Sequence, residues 1–314
     1  MKKYVVWGMG LLGTSLALDL KKRGGYVVGV EKSLENIEIL KGYGFDRIWQ
    51  SDDESLFDDL RDCAGIIIGT PVDQVFPILE RISRHEISPA AWVTDMASTK
   101  SELMRQVSMS QDPMIGRLNF IGSHPMAGSD LNGPAHARLD LFKDATIYIT
   151  PQGPQDVHGK PAASGNPGLK NEVAEFWKTV GARPFEISSE VHDKWAAYLS
   201  HGLHLVSCMV SHLLEEIPEV YDLQVSPAGG SFRDITRVAG SNPRLWDGII
   251  NSNAGEVTRY LESLEKLIHE WKVLLAEKKL PVEDIFKKAG MIRSAIIKTE
   301  QNEIKNNPKN IKKI

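Results

Sequence analysis

The sequence predicts a doubly wound α/β fold with a mostly parallel sheet, followed by an all-helical C-terminal region, and three observations carry that expectation. Short β-branched runs alternate with amphipathic helical stretches from residue 1 to about residue 188. A glycine-rich turn stands where the first strand meets the first helix, and from Ser189 onward strand signals vanish. The expected organisation is therefore a nucleotide-binding type of domain over residues 1–188, a helical domain over 189–302 and a solvated tail over 303–314.

The strands are expected at residues 4–7, 26–30, 65–69, 92–94, 120–122, 145–149 and 184–187, each a short run bounded by turn formers. Residues 11–22 read as the first helix. Residues 151–167 are crowded with Pro, Gly and Ser and read as a mobile surface insertion. In the second half, helical periodicity covers 191–217, a turn is marked near 228–231, and helices follow over 245–277 and from 282 to about 302.

Composition narrows the function classes. The chain has 314 residues, 42% hydrophobic and 25% charged, enough for two cores. A net charge of -4 with a pI near 6.2 gives no broad basic surface, so neither nucleic acid nor an anionic membrane is an expected partner. Cys63 and Cys208 lie far apart in apolar stretches and read as buried thiols. With no signal peptide and no apolar run of about 20 residues, a cytoplasmic location is expected.

The first strand ends in Gly8-Met9-Gly10-Leu11-Leu12-Gly13. Gly8 permits a tight turn, Gly10 lets backbone approach a pyrophosphate, and Gly13 lets the helix pack closely on the sheet, with the helix N-terminus free to receive negative charge. Glu31 closes the second strand, where an acid accepts from the adenine ribose hydroxyls. This is a Rossmann-type fingerprint. Glu31 disfavours a 2′-phosphate although Lys32 and Ser33 follow it, so NAD is expected, with NADP as the second choice. Thr70 and Pro71 follow another strand at the same edge and read either as cofactor contacts or as an ordinary helix cap.

Two more strands end in polar clusters, Asp95-Met96-Ala97-Ser98-Thr99-Lys100 and Gly122-Ser123-His124-Pro125-Met126-Ala127-Gly128-Ser129-Asp130. His124 has the chemistry of a general base, though a histidine held in a tight Gly/Pro turn is the plain alternative. Ser200 and His204 are four apart on one helix face in an apolar segment, so they either pair internally or line a cleft. His201 and His204 lack a neighbouring carboxylate or cysteine, which argues against a metal site. Arg233 and Arg237 suit a carboxylate or a solvated helix face equally.

Taken in order, GMGLLG, DMASTK, GSHPMAGSD, SHGLH, FRDITR and Trp246 resemble the motif set of the prephenate/arogenate dehydrogenase family, from Gly8 to about Asn253. The resemblance implies an NAD(P)-dependent oxidative decarboxylation of prephenate, or of arogenate, in tyrosine biosynthesis. It implies His124 as base at the substrate hydroxyl with Ser98 assisting, and Ser200, His204 and Arg237 as substrate contacts. Ser129, Asp130, Asp234 and Trp246 are implied to line or gate the pocket. Gly202-Leu203 replaces a common Leu-Pro pair, so a less kinked helix is expected. The apolar helical half suits a homodimer. Two rivals remain at this point: a β-hydroxyacid-type dehydrogenase with Lys194 as acid/base, and a non-catalytic sensor of NAD(H).

Overall fold

The computed structural model describes residues 1–128, 131–150, 168–223 and 227–305. Ser129, Asp130, the proline-rich stretch 151–167 and the end of the chain from 306 lie outside the described residues. The strands are β1 (Lys3–Trp7), β2 (Tyr26–Glu31), β3 (Arg47–Gln50), β4 (Gly65–Ile68), β5 (Trp92–Asp95), β6 (Asn119–Pro125), β7 (Thr146–Thr150) and β8 (Arg183–Glu186). They form one sheet in the order β3-β2-β1-β4-β5-β6-β7-β8, parallel throughout except where β7 runs antiparallel to β6. The order reverses beside β1, so the carboxyl ends of β1 and β4 flank the crevice in which such sheets bind ligands.

Both faces of the sheet are covered, and the strands read accordingly as near-continuous apolar runs. Val6 and Ile67 enter one core with Leu16, Leu20 and Trp177. Their neighbours Val5, Trp7, Ile66 and Ile68 enter the other with Leu79 and Ile82. The alternation is that of successive side chains on a strand. The helices α1 (Leu11–Lys22), α2 (Leu34–Lys41), α3 (Val72–Ser83), α4 (Ser101–Met109) and α5 (Leu169–Thr179) supply the covering layers.

Two strand assignments change. β3 is additional to the expected set: it is a four-residue edge strand paired only with β2, and its sequence Arg-Ile-Trp-Gln has no long apolar run to reveal it. β6 runs past Gly122 to Pro125 because antiparallel β7 extends the ladder, pairing His124 with Tyr148. His124 is therefore a strand residue, not a turn residue.

The helical region is more broken than its periodicity suggests. The stretch expected as one helix over 191–217 comprises α6 (Ser189–Ala196), a π turn at Ala197–His201, α7 (Gly202–His212) and a short 3₁₀ turn at Leu213–Glu216. Such a π turn is commonest at functional sites. Gly202 lies against the Tyr260 ring, where an added Cβ would approach to 2.2 Å. Next come α8 (Gly230–Thr236), a 3₁₀ turn at Arg237–Gly240 and α9 (Pro243–Ser252), the last capped by the Asn242 side chain. The predicted helix 245–277 is divided at Asn253 between α9 and α10 (Ala254–Ala276), and α11 is Val282–Lys305.

By packing, the chain forms two compact units, Met1–Tyr260 and Leu261–Ile314, so α6 to α9 belong with the sheet. The change from strands to helices falls where it was expected, between β8 and α6. Within the second unit Phe286, Met291 and Ile292 are exposed. Cys63 is buried as expected, whereas Cys208 is only half-buried. No described helix is long and apolar enough to cross a membrane.

Candidate active site

The turn after β1 is held by backbone geometry. Gly8 has φ of 98° and donates its N–H to Val30 O at 2.8 Å, and a Cβ there would meet Gly69 and Thr70 at 2.8 Å. A Cβ on Gly13 would fall 2.0 Å from Gly8 O. Around Gly10 the space is open to 4 Å, and no side chain caps α1, whose first turn begins with Leu11 and Leu12. Uncapped amides beside open space fit an anionic group such as a pyrophosphate.

Glu31 binds the turn from the side. Its Oε2 accepts from Met9 N at 3.0 Å, and its Oε1 accepts from Lys32 N and Ser33 N at 2.9 Å each. Met9, expected among the cofactor contacts, turns its side chain into the core under Gly29, and its N–H is already engaged by Glu31. The Thr70 hydroxyl is buried with no hydrogen-bond partner among the described residues. It does not cap α3, because the cap position is Pro71, with no side-chain bond.

The second cluster lies where β5 and β6 end. Asp95 and Lys100 form a fully buried ion pair, and Asp95 also accepts from Ser123 N and Ala97 N, both at 3.0 Å. Burial pulls the Lys100 ammonium pKa down while the Asp95 carboxylate opposes the shift. His124 is 9% exposed, and its Nδ1 lies 2.8 Å from His192 Nε2. His192 Nδ1 lies 2.7 Å from Asp193 Oδ1, and Asp193 accepts Lys100 N and Ser101 N at 2.8 Å each. Burial alone would raise Asp193. The hydrogen bonds from His192, Ser101 and Lys100 overcome it and hold the carboxyl below its usual range. Burial, then the neighbouring His192, Lys100 and His201, push the His124 pKa well below 6.5, so this imidazole is neutral near pH 7.

The third cluster comes from the helices. His204 donates from Nδ1 to Ser200 O at 2.9 Å and stacks on Trp246, ring centroids 3.6 Å apart. Partial burial lowers the His204 pKa, the Ser200 bond opposes, and the charge of nearby Arg237 lowers it further. His201 is buried and accepts at Nδ1 from Asn253 Nδ2 at 3.1 Å. Burial brings its pKa to about 4, with Asp193 opposing and His192 and His204 adding to the fall. Each of the two SHGLH histidines thus has its own partner, Asn253 for one and Trp246 for the other.

Electrostatic proximity joins these clusters: His124 senses His201, His201 senses His204, and His204 senses Arg237. His201 thus stands between His124 and His204, and Ser200 O and Trp246 hold His204 on the side that senses Arg237. Arg237 and Asp234 are exposed, and FRDITR forms α8 and the turn after it, in keeping with the solvated helix face that was one of its two readings. Ser98 is half-buried and bonds to no described residue, and the partner at His124 Nδ1 is His192. Lys194, the lysine weighed as an acid/base, is exposed on α6. His192, Asp193, Asn253 and the Asp95–Lys100 pair were missed by sequence reasoning. A polar His-Asp pair at the start of an apolar helix was the only available signal, because burying both requires partners.

Comparison with known proteins agrees with this architecture. The family model of the prephenate dehydrogenase nucleotide-binding domain matches residues 16–185, and that of the prephenate dehydrogenase dimerization domain matches residues 188–288. Prephenate dehydrogenase of Bacillus subtilis is 33% identical over 84% of this chain and 66% of its own length, so the chain spans about two thirds of that relative. The structure of prephenate dehydrogenase from A. aeolicus, in complex with hydroxyphenyl propionate and NAD+, is 25% identical with a TM-score of 0.80, covering 94% of this chain and 98% of that one. Arogenate dehydrogenase of Synechocystis is 26% identical with a TM-score of 0.73, over 94% of this chain and 99% of its own. With two family models in series over most of its length, this chain belongs to the prephenate dehydrogenase family.

Proposed function

We propose that the protein oxidatively decarboxylates prephenate to 4-hydroxyphenylpyruvate with NAD as hydride acceptor, a step toward tyrosine. The observation that carries the reading is His124, whose Nδ1 is committed to His192 and whose depressed pKa leaves a neutral Nε2 to accept a proton. NAD, when bound, supplies the hydride acceptor. The uncapped α1 amides would hold its pyrophosphate, and the remaining lone pair of Glu31 Oε2 would accept one ribose hydroxyl.

In this mechanism the C4 hydroxyl of the substrate donates to His124 Nε2. Hydride leaves C4 as the imidazole takes the hydroxyl proton, and loss of the ring carboxylate as CO2 makes the ring aromatic. Arg237 attracts a substrate carboxylate, and His204, held by Ser200 O and Trp246, presents its Nε2 to the side chain. Trp246 shapes the pocket wall. Ser98, Asp234 and the two residues outside the described set, Ser129 and Asp130, remain pocket candidates on the motif resemblance alone.

Arogenate is the second reading, favoured by the likeness to the Synechocystis enzyme. It differs from prephenate in an amino group that would meet His204. The exposed Lys194 gives no support to a β-hydroxyacid mechanism. The helices also expose Leu199, Leu203, Leu213 and Ile217, in keeping with a homodimer through the family's dimerization region, and the site of action would be the cytoplasm. Incubating the chain with prephenate or arogenate and NAD or NADP, while following absorbance of the reduced cofactor, tests the proposal. Turnover of prephenate with NAD at the highest kcat/KM is expected, and absence of turnover with either substrate would overturn it.

A further inference from the structure

We propose that His192 and Asp193 form a positioning relay behind the base, locking His124 in the tautomer whose Nε2 is free and placing a carboxylate one ring away from the charge that develops there. The proposal rests on the reading of His124 as the proton acceptor and assigns roles to two residues outside the motif set. Its starting point is that Asp193 accepts all its hydrogen bonds. Lys100 N and Ser101 N donate to it, so the 2.7 Å contact to His192 Nδ1 places the proton on that nitrogen. The relay takes Nδ1 as the one protonated nitrogen of His192, so that its Nε2 is bare and can only accept. The 2.8 Å contact to His124 Nδ1 therefore puts His124's proton on Nδ1 and leaves Nε2 as its lone-pair nitrogen.

The geometry makes this arrangement specific. His192 and Asp193 are 1% and 2% exposed, so water does not compete for either bond. Asp193 is fixed by the first amides of α4 and has its own carbonyl bound by Asn253 Nδ2 at 2.8 Å. The groups facing the two rings are Lys100 from the β5–α4 connection, itself paired with Asp95, Tyr148 from β7 and His201 from the π turn, while Asp193 is the carboxylate in contact with the ring pair, through His192. Once Nε2 of His124 takes the substrate proton, the resulting cation is buried near the Lys100 ammonium. Asp193, linked through His192, is the carboxylate that offsets it.

Two measurements on the full chain decide the matter. Long-range proton–nitrogen NMR of the ¹⁵N-histidine protein, with the signal assigned through His124→Gln, is expected to show His124 neutral and protonated on Nδ1. A proton on Nε2 overturns the relay whatever the enzyme turns over. In steady-state assays His192→Phe, which removes the acceptor, is expected to lower kcat about 10²–10⁴-fold with KM nearly unchanged. His192→Gln, whose Oε1 can stand where Nε2 stood, is expected to recover at least about tenfold of that loss. Equal losses in the two variants, or a Phe variant within about twofold of wild type, would refute the assignment. If the wild-type chain turns over neither substrate, the functional reading fails, and the tautomer measurement still tests the relay.

Discussion

At the turn after β1 the backbone does the holding: Gly8 at positive φ, Gly13 pressed on Gly8 O, and the Met9 amide bound by Glu31 at the end of β2. Where β5 and β6 end, side chains do it, with Asp95 on Lys100 and Asp193 on His192, reaching across as many as 93 residues of sequence between Lys100 and Asp193. The difference shows how each part of the site is specified. A backbone-built turn needs particular residues at fixed spacing, whereas a side-chain network needs only groups that the fold brings together. It also predicts how each part fails. Substitutions in the turn should weaken cofactor binding, while substitutions in the network should alter protonation and rate.

The largest effect is expected at the base. His124→Asn keeps a polar group on β6 but removes the proton acceptor, and kcat should fall about 10²–10⁴-fold with little change in KM. Steady-state kinetics with either cyclohexadienol substrate measures it. An unchanged kcat would place the chemistry elsewhere and dissolve the contrast between the two clusters.

A smaller and different effect is expected at Glu31. Its carboxylate accepts three backbone amides, so Glu31→Ala removes both a ribose acceptor and a brace of the turn. The KM for NAD should rise about tenfold or more, the loss of one or two hydrogen bonds to a charged group, with kcat nearly constant. Discrimination against NADP should relax as well, since the repulsion of a 2′-phosphate goes with the carboxylate. A variant impaired in kcat alone would show that the turn and the base are not separable parts.

The same contrast explains which features were legible in the sequence. The glycines, Glu31 and the first helix were readable because each requirement is local: a strand, a turn with no room for Cβ, and an acid at the end of the next strand. β3 was not, since a short edge strand with one neighbour needs little hydrophobicity. His124 was found at a strand end, yet the extension of β6 through it was not, because the antiparallel partner β7 begins more than twenty residues later. The partner at its Nδ1 went unread for the same reason: His192, the residue in contact, is separated from it by 68 residues. The breaks at the π turn and at Asn253 escaped periodicity because both segments remain amphipathic, and tertiary partners, Tyr260 and Asp193, fix where each helix turns.

The smallest effect bears on stability and tests whether the histidine cluster is as dry as its burial implies. An unfolded histidine titrates near pH 6.5, whereas folded His201 titrates at about 4. Between those values the unfolded chain binds more protons, so the free energy of unfolding should fall as pH drops through this window, by roughly 3 kcal/mol for His201 alone. His124, also depressed, adds a loss of the same sign. Asp193 acts later: its folded pKa lies below the usual carboxylate value, so its contribution is intact above about pH 4 and disappears only at lower pH. Denaturant unfolding at pH 7.0, 5.5 and 4.5 should show the first stage. His201→Asn, which keeps an acceptor for Asn253 but cannot titrate, should flatten it. A variant with the wild-type slope would mean that water reaches this ring in the folded chain, and the low-dielectric setting inferred for its neighbour His124 would lose its support.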